Sequence, residues 1–457
     1  MTPLPQDYAD QMKRLLGEAG FFAYEQALTQ PVTRALRVNL LLRPDGSLPC
    51  PVEGVGEAVP WAKGCYFIDG DARPGLSPLH EGGLFYLQEP SALSAVSVLA
   101  PQPGERVLDL CAAPGGKSTQ IAGLMQGRGL LVCNEPVPAR AQILSRNVER
   151  MGVRSAVVTS AMSAQLAPRF PAFFDRILVD APCSGEGMFR RQIEARDEWS
   201  AGSPRGCADR QLEILEEAAK MLAPGGALVY STCTFNDTEN EGVLARFTAA
   251  HPEFALEAFE LPGLPSGSRG YVHLYPHEIQ GEGHFVSLLR KSPDAPGAQE
   301  PEEKPRRAVK PARGRGEQAK KAQQPALAMP DVLAPGISFD RLHAAGDSLW
   351  ALPEGLDDLS RLDGLRVLRT GLLLAHAEGK RVEPDHALAM ALMPCEAART
   401  AELDEAQALA YQAGEALPLG ELPPGYTLLT HCGVSLGFGK QAGGVMKNHY
   451  PKGLRRR

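Results

Sequence analysis

Between residues 101 and 290 short apolar runs alternate with amphipathic stretches, a pattern that predicts βαβ units around a parallel sheet. "RVLDL" (106–110), "GLLVCN" (129–134), "SAVVTS" (155–160), "RILVD" (176–180) and "ALVYST" (227–232) read as buried strands, and "HFVSLLR" (284–290) as a late closing strand. Helices are predicted between them at 118–126, 138–151 and 208–222, the last with a core-facing apolar stripe. The "APGG" that follows reads as a helix stop and tight turn. A helix is predicted near 6–19, followed by mixed short elements. The chain shows no internal repeat, and residues 291–327 break its pattern, rich in proline, alanine and charge and nearly free of large apolar residues. Such a segment cannot bury enough surface to offset its ordering entropy and reads as a flexible linker.

Composition narrows the class. With 457 residues, 44% hydrophobic and 22% charged, the chain predicts two to four globular domains. No apolar run approaches the roughly 18 residues a membrane span needs, and "MTPLPQDYADQMKRLL" carries no apolar signal core, so a cytoplasmic protein is expected. Nine cysteines without C-x-x-C pairs argue against a disulfide framework and a structural zinc site. The net charge of −7 does not itself suggest a nucleic-acid partner, but Lys304, Arg306, Arg307, Lys310, Arg313, Arg315, Lys320 and Lys321 form a basic tract that reads equally as phosphate-contacting segment or solvated tether.

The first strand ends in Asp109 and runs into "CAAPGGKST". Gly116, Lys117 and Ser118 match the second half of a nucleotide-triphosphate loop, but Cys111 stands where its first glycine belongs. A strand, a glycine turn and a helix instead let backbone amides approach an adenosyl cofactor, and Glu135, after the next strand, is placed to take ribose hydroxyls. Two further strands end at "VDAPCSGEG" and "YSTCTF", putting Cys183 and Cys233 where open α/β sheets bind ligands. The histidines of "YVHLYPHEIQGEGHF" make a poor metal site, because Pro276 breaks the helix that the His273/His277 spacing requires. Phe189, Arg190 and Arg191 read equally as RNA contacts or as an ordinary exposed pair of basic residues.

Jointly, "LDLCAAPGGKSTQIA", "DAPCSGEGMFRR" and "STCTFNDTENEGVL" resemble the signature motifs of the Sun-type RNA cytosine-5 methyltransferases. "ALRVN" (35–39) and "FYLQEPSAL" (85–93) resemble upstream motifs, and "LGFGKQAGGVMKNHYPKGLR" is similar to the C-terminal domain of the bacterial RsmF-type ribosomal RNA enzymes. The resemblance implies a Rossmann-like α/β methyltransferase domain with a small α+β N-terminal domain and a β-rich PUA-like C-terminal region. Expected boundaries are an RNA-binding domain at 1–75, the methyltransferase domain at 76–290, a basic linker at 291–329, an RNA-binding subdomain at 330–398 and a PUA-like subdomain at 399–457. It implies S-adenosylmethionine held by Cys111, Ala112, Ala113, Pro114, Gly115, Gly116 and Lys117, with Glu135 on the ribose and Arg140 and Asp180 nearby. Cys233 would be the nucleophile, Cys183 would help release the product, and Asp180 and Lys117 would complete the catalytic group. An adenine-contacting aspartate found in the family is missing from "VVTSAMSAQL", which offers Ser160, Met162 and Ser163.

The implied activity is methylation of cytosine carbon 5 in RNA, with small-subunit (16S) ribosomal RNA as the expected partner, no metal, no membrane and a monomeric enzyme. The alternatives are a transfer RNA substrate, or a catalytically idle RNA-binding or assembly factor on the same scaffold. An amine methyltransferase would need an Asn/Asp-Pro-Pro-aromatic loop, and the chain has Asp180-Ala-Pro-Cys183.

Overall fold

Helix α1 (Gln6–Leu28) opens the chain and is broken at Gly17, whose φ of 70° lies in the left-handed region. It therefore extends past the expected helix near 6–19, and its second half buries Phe21, Tyr24 and Leu28. The computed structural model describes residues 4–191, 193–297, 329–378, 381–420, 422–442 and 445–456. The basic tract at 304–321 lies outside the described residues.

Strands β1 (Arg34–Val38), β2 (Val55–Ala58), β3 (Cys65–Ile68) and β4 (Phe85–Gln88), with the short helix α2 (Pro78–Glu81) between the last two, form an antiparallel sheet ordered β2-β3-β1-β4. Since its last strand is Phe85–Gln88, this unit runs past the boundary expected at residue 75. Helix α3 (Ser94–Leu99) then leads into the central unit.

That unit comprises β5 (Arg106–Asp109), α4 (Gly116–Leu124), β6 (Leu130–Asn134), α5 (Pro138–Arg150), β7 (Ala156–Thr159), α6 (Ser163–Leu166), β8 (Phe174–Asp180), α7 (Ile193–Glu198), α8 (Ser203–Met221), β9 (Leu222–Thr232), α9 (Glu241–Ala250), β10 (Phe254–Leu256), β11 (Tyr271–Leu274) and β12 (His284–Lys291). Strands β5 to β9 are mutually parallel. Both faces are covered, which is why β6 is apolar from Leu130 to Cys133, and all five of its residues are buried. Neighbouring residues serve opposite layers. Leu108, Val132 and Ile177 pack in the cluster holding Leu215 of α8 and Phe247 of α9, whereas Val107, Leu131 and Leu178 pack in the cluster holding Ile121 of α4 and Leu144 of α5.

Two local expectations are corrected. Helix α8 starts at Ser203 rather than 208, with Pro204 in its first turn, where the missing N–H costs nothing. It stops at Met221, and "APGG" falls within β9, in the irregular stretch between Leu222, which pairs with Phe174 of β8, and Ala227, which pairs with Arg176.

Beyond the linker, β13 (Leu342–Ala345), β14 (Ser348–Ala351), β15 (Val367–Thr370), β16 (Leu372–Glu378), β17 (Arg381–Pro384) and α10 (His386–Ala391) follow. Four of these strands form their own sheet, ordered β13-β14-β16-β17. The exception is β15, which pairs antiparallel with β7 and becomes the edge strand of the central sheet. The chain closes with β18 (Thr400–Glu402), α11 (Glu405–Ala413), β19 (Gly425–His431), β20 (Val434–Ala442) and β21 (Val445–Asn448), a β-rich unit built on one four-stranded sheet. No helix among the described residues is long and apolar enough to cross a membrane.

Candidate active site

The C-terminal ends of β5, β6, β8 and β9 open onto two adjoining chambers. One, of about 330 Å³, is lined by Cys111, Glu135, Arg140, Asp180, Cys183 and Cys233, with Leu110, Met162 and Ile214 adding apolar surface. The other, of about 310 Å³, lies between "YLQE" (86–89) of the N-terminal unit and Ala112, Pro114, Gly116 and Lys117. Cys111, Ala113 and Asp180 belong to both. Thus eleven predicted positions meet around one crevice, although they come from separate strands, loops and helices. Gly115 is the exception. Its φ of 109° makes the turn into α4, and a Cβ there would meet Leu144 and Asn147 of α5 at 3.3 Å. It shapes the loop and lines neither chamber.

Asp109, which ends β5, also lines neither chamber. Fully buried, it accepts a 2.6 Å hydrogen bond from Ser118 Oγ and so ties the end of β5 to the first turn of α4. Burial pushes its carboxyl up to about 7, against the opposing effect of Ser118.

Asp180 is held from several sides. Lys117 Nζ donates to Oδ2 at 2.8 Å, Ser231 Oγ donates to Oδ1 at 2.9 Å, and His284 Nε2 stands 3.4 Å from Oδ1. Burial alone would raise this carboxyl, but Lys117 and then His284 hold it well below the usual carboxylate range. Burial likewise opposes the charge on Lys117, and Asp180 overrides it, so the ammonium is retained.

Cys183 follows β8 and Cys233 follows β9, and their sulfur atoms lie 3.1 Å apart. The hydrogen bond with Cys233, then burial, holds the Cys183 thiol well above its ordinary value. The two cysteine loops are pinned by carboxylates that sequence reading missed. Glu186 is fully buried and accepts from Phe235 N at 2.8 Å, Asn236 N at 3.0 Å and Gln11 Nε2 at 3.0 Å. Glu239, also fully buried, accepts from Ser184 N at 3.0 Å and Gln211 Nε2 at 2.8 Å, and its bond with Ser184 Oγ is shorter still. Their one signal was their place inside the motifs "CSGEG" and "NDTENEG".

Of the basic cluster after Cys183, Arg191 alone is exposed, and it lines the second chamber. Phe189 is buried in the core, and Arg190 makes a two-pronged bond to buried Glu282, with both contacts at 2.8 Å. The RNA-contact reading is therefore corrected for these two residues. No cluster of metal-ligating side chains occurs among the described residues.

The donor set fits an adenosyl sulfonium. Glu135, 1% exposed yet lining the first chamber, offers a carboxylate for ribose hydroxyls, steadied by Val137 N at 2.9 Å and Arg140 at 3.5 Å. Met162 and Ile214 offer apolar surface to a purine where the family's aspartate is missing. Fold and crevice together define an S-adenosylmethionine-dependent methyltransferase.

Comparison with known proteins narrows the class. The profile for the 16S rRNA methyltransferase RsmB/F family matches residues 96–290. Profiles for the RsmF N-terminal domain, first C-terminal domain and PUA domain match 4–90, 330–392 and 398–456. The chain is 34% identical over 418 residues to ribosomal RNA small subunit methyltransferase F of Erwinia tasmaniensis, covering 87% of this chain and 85% of that one. The namesake from Serratia proteamaculans is 34% identical over 395 residues, covering 82% and 80%. Among solved structures, a methyltransferase homolog from Pyrococcus horikoshii aligns at a TM-score of 0.52 and 29% identity, over 63% of this chain and 95% of that one. NSun6 from Pyrococcus horikoshii, solved with SFG, shares the fold at a TM-score of 0.52 and 22% identity, over 63% and 98%. The chain belongs to the RsmF family of 16S ribosomal RNA methyltransferases.

Proposed function

We propose that the protein methylates carbon 5 of a cytosine in small-subunit ribosomal RNA through a transient covalent bond to Cys233. The observation that carries this reading is the pair of sulfurs 3.1 Å apart, in a chamber also lined by Asp180, which Lys117 holds from the adjoining one.

Carbon 5 of cytosine is a poor nucleophile. Addition of the Cys233 thiolate to carbon 6 pushes the ring's electron pair onto carbon 5, splitting one hard step into two easier ones. Lys117 supports this choice of cysteine, since its positive charge interacts with Cys233. Cys183, held high by its hydrogen bond with Cys233 and by burial, with Glu239 adding to both, stays a thiol. Asp180, held as an anion, accepts hydrogen bonds from the amino edge of a base that has left its stack. S-adenosylmethionine, when bound, supplies the electrophilic methyl group. Transfer of the carbon-5 proton to water then restores the ring double bond and expels the Cys233 thiolate, and the Cys183 thiol steadies that departing sulfur by hydrogen bonding.

Glu135 and Arg140, with the loop from Cys111 to Lys117, are assigned to the cofactor. Bisulfite sequencing of 16S ribosomal RNA from cells with and without the protein tests the reading: a protected cytosine that disappears with the gene supports it, and an identical pattern in both strains refutes it.

A further inference from the structure

His284 is the third histidine of the "YVHLYPHEIQGEGHF" stretch and takes no part in the mechanism above. It starts β12, which pairs antiparallel with β9. The last pair of that ladder, Phe285 with Thr232, puts His284 beside the position of Cys233, one residue further along. Its side chain is 3% exposed, and neighbours in sequence and register, Phe285 and Leu274, are fully buried and apolar. An apolar residue would suit this site, because an imidazole buried without a partner is costly. His284 Nε2 is buried and makes no full hydrogen bond, yet it faces Asp180 Oδ1 at 3.4 Å.

We infer that His284 is a positioning residue for Asp180, holding the Oδ1 edge of the carboxylate while Lys117 holds Oδ2. The inference rests on the function proposed above only in the use to which Asp180 is put. Three elements grip this carboxylate: α4 through Lys117, β9 through Ser231 and β12 through His284. The grip leaves it little freedom to rotate, and contacts that are long in a free enzyme tighten when substrate is bound. The other titratable and charged groups around Asp180 are Asp109 and Cys111 from β5 and its loop, Glu135, Arg140, Cys183, Arg210, Glu213 and Cys233 in the first chamber, and Glu89 and Arg191 in the second. Among the described residues, Lys117 and His284 are the two basic side chains that reach the carboxylate, at 2.8 and 3.4 Å.

The experiment uses the full chain labelled with carboxyl-carbon-13 aspartate, the Asp180 resonance being identified by its loss in Asp180→Asn. His284→Phe keeps an aromatic ring of similar size and removes the nitrogens. In this variant the Asp180 titration is expected to move up by about one pH unit or more, the effect of losing a nearby cation or donor. His284→Gln, which keeps an N–H, is expected to return at least half of that shift. Should the phenylalanine variant not fold, His284→Leu makes the same prediction. Methyl transfer to small-subunit RNA should follow, with the acid limb of kcat moving upward in the same order and KM for RNA within twofold of the parent. An Asp180 titration unchanged in the apolar variant overturns the inference, as does a glutamine variant no better than the apolar one. A parent enzyme that transfers no methyl group to RNA refutes the proposed function instead, and the carboxyl titration still decides the role of His284.

Discussion

The sulfur atoms of Cys183 and Cys233 lie 3.1 Å apart although 50 residues separate them in the chain. Their strands, β8 and β9, are parallel neighbours with Asp180 opposite Ser231, so a cysteine shortly beyond each end arrives at one point. This closeness makes the two mutants distinguishable. Cys233→Ala should be inactive and form no bond to RNA. Cys183→Ala should add to carbon 6 and accept the methyl group, then stall, leaving a denaturation-resistant adduct that requires S-adenosylmethionine. A denaturing gel reads both, and an adduct in Cys233→Ala with none in Cys183→Ala would reverse the roles.

Glu135→Ala should weaken S-adenosylmethionine binding by roughly 1–3 kcal/mol, the usual range for hydrogen bonds to a charged group. Isothermal calorimetry on the full chain measures this, and the parent should bind no ATP. Unchanged cofactor affinity in the variant would remove Glu135 from the site.

Glu186 accepts hydrogen bonds from two consecutive backbone amides, of Phe235 and Asn236. Glu186→Ala leaves both buried without a partner, at about 1–3 kcal/mol each. Denaturant unfolding should show a loss of that order, accompanied by loss of methyl transfer as the Cys233 loop is released. A variant of normal stability would show that water replaces the carboxylate without cost.

Asp109 gives a pH dependence of definite sign. Its folded-state carboxyl titrates at about 7 against an ordinary 3.8, so the folded chain holds a proton that the unfolded chain has lost between those values. Its contribution to stability therefore falls as pH rises from about 4 to about 7 and is level above. Asp109→Asn removes this penalty while keeping an oxygen for Ser118. The melting temperature of the variant relative to the parent should climb across that window, and a difference independent of pH would disprove the shift.

For the basic tract, neutralising Lys304 to Lys321 should flatten the salt dependence of RNA binding, by about 0.7–0.9 in slope for each phosphate the tract no longer neutralises. An unchanged slope would make the segment a plain tether.

The central sheet and its crevice were legible in the sequence for one physical reason. Strands buried on both faces are apolar along most of their length, as in "LLVC", and their ends are then marked by the first polar residue or cysteine-bearing turn. Residues whose meaning depends on a distant partner were not legible. Arg190 resembles a surface cation until Glu282 is seen against it, and Glu186 resembles a loop acid until the amides of Phe235 and Asn236 close on it. The placement of β15 was equally hidden, since "VLRT" is too short to announce a strand and its partner, β7, lies some 210 residues earlier.

That strand limits how the protein can be taken apart. A fragment ending before the linker would keep every residue of the catalytic crevice but lose the cover on β7, exposing a row of free backbone N–H and C=O groups along four consecutive buried residues, Ala156 to Thr159. Bare apolar edges of this kind template pairing between molecules. The isolated catalytic domain is thus an aggregation hazard of the chain's own architecture, and the minimal soluble unit has to carry the segment around Val367–Thr370 with it.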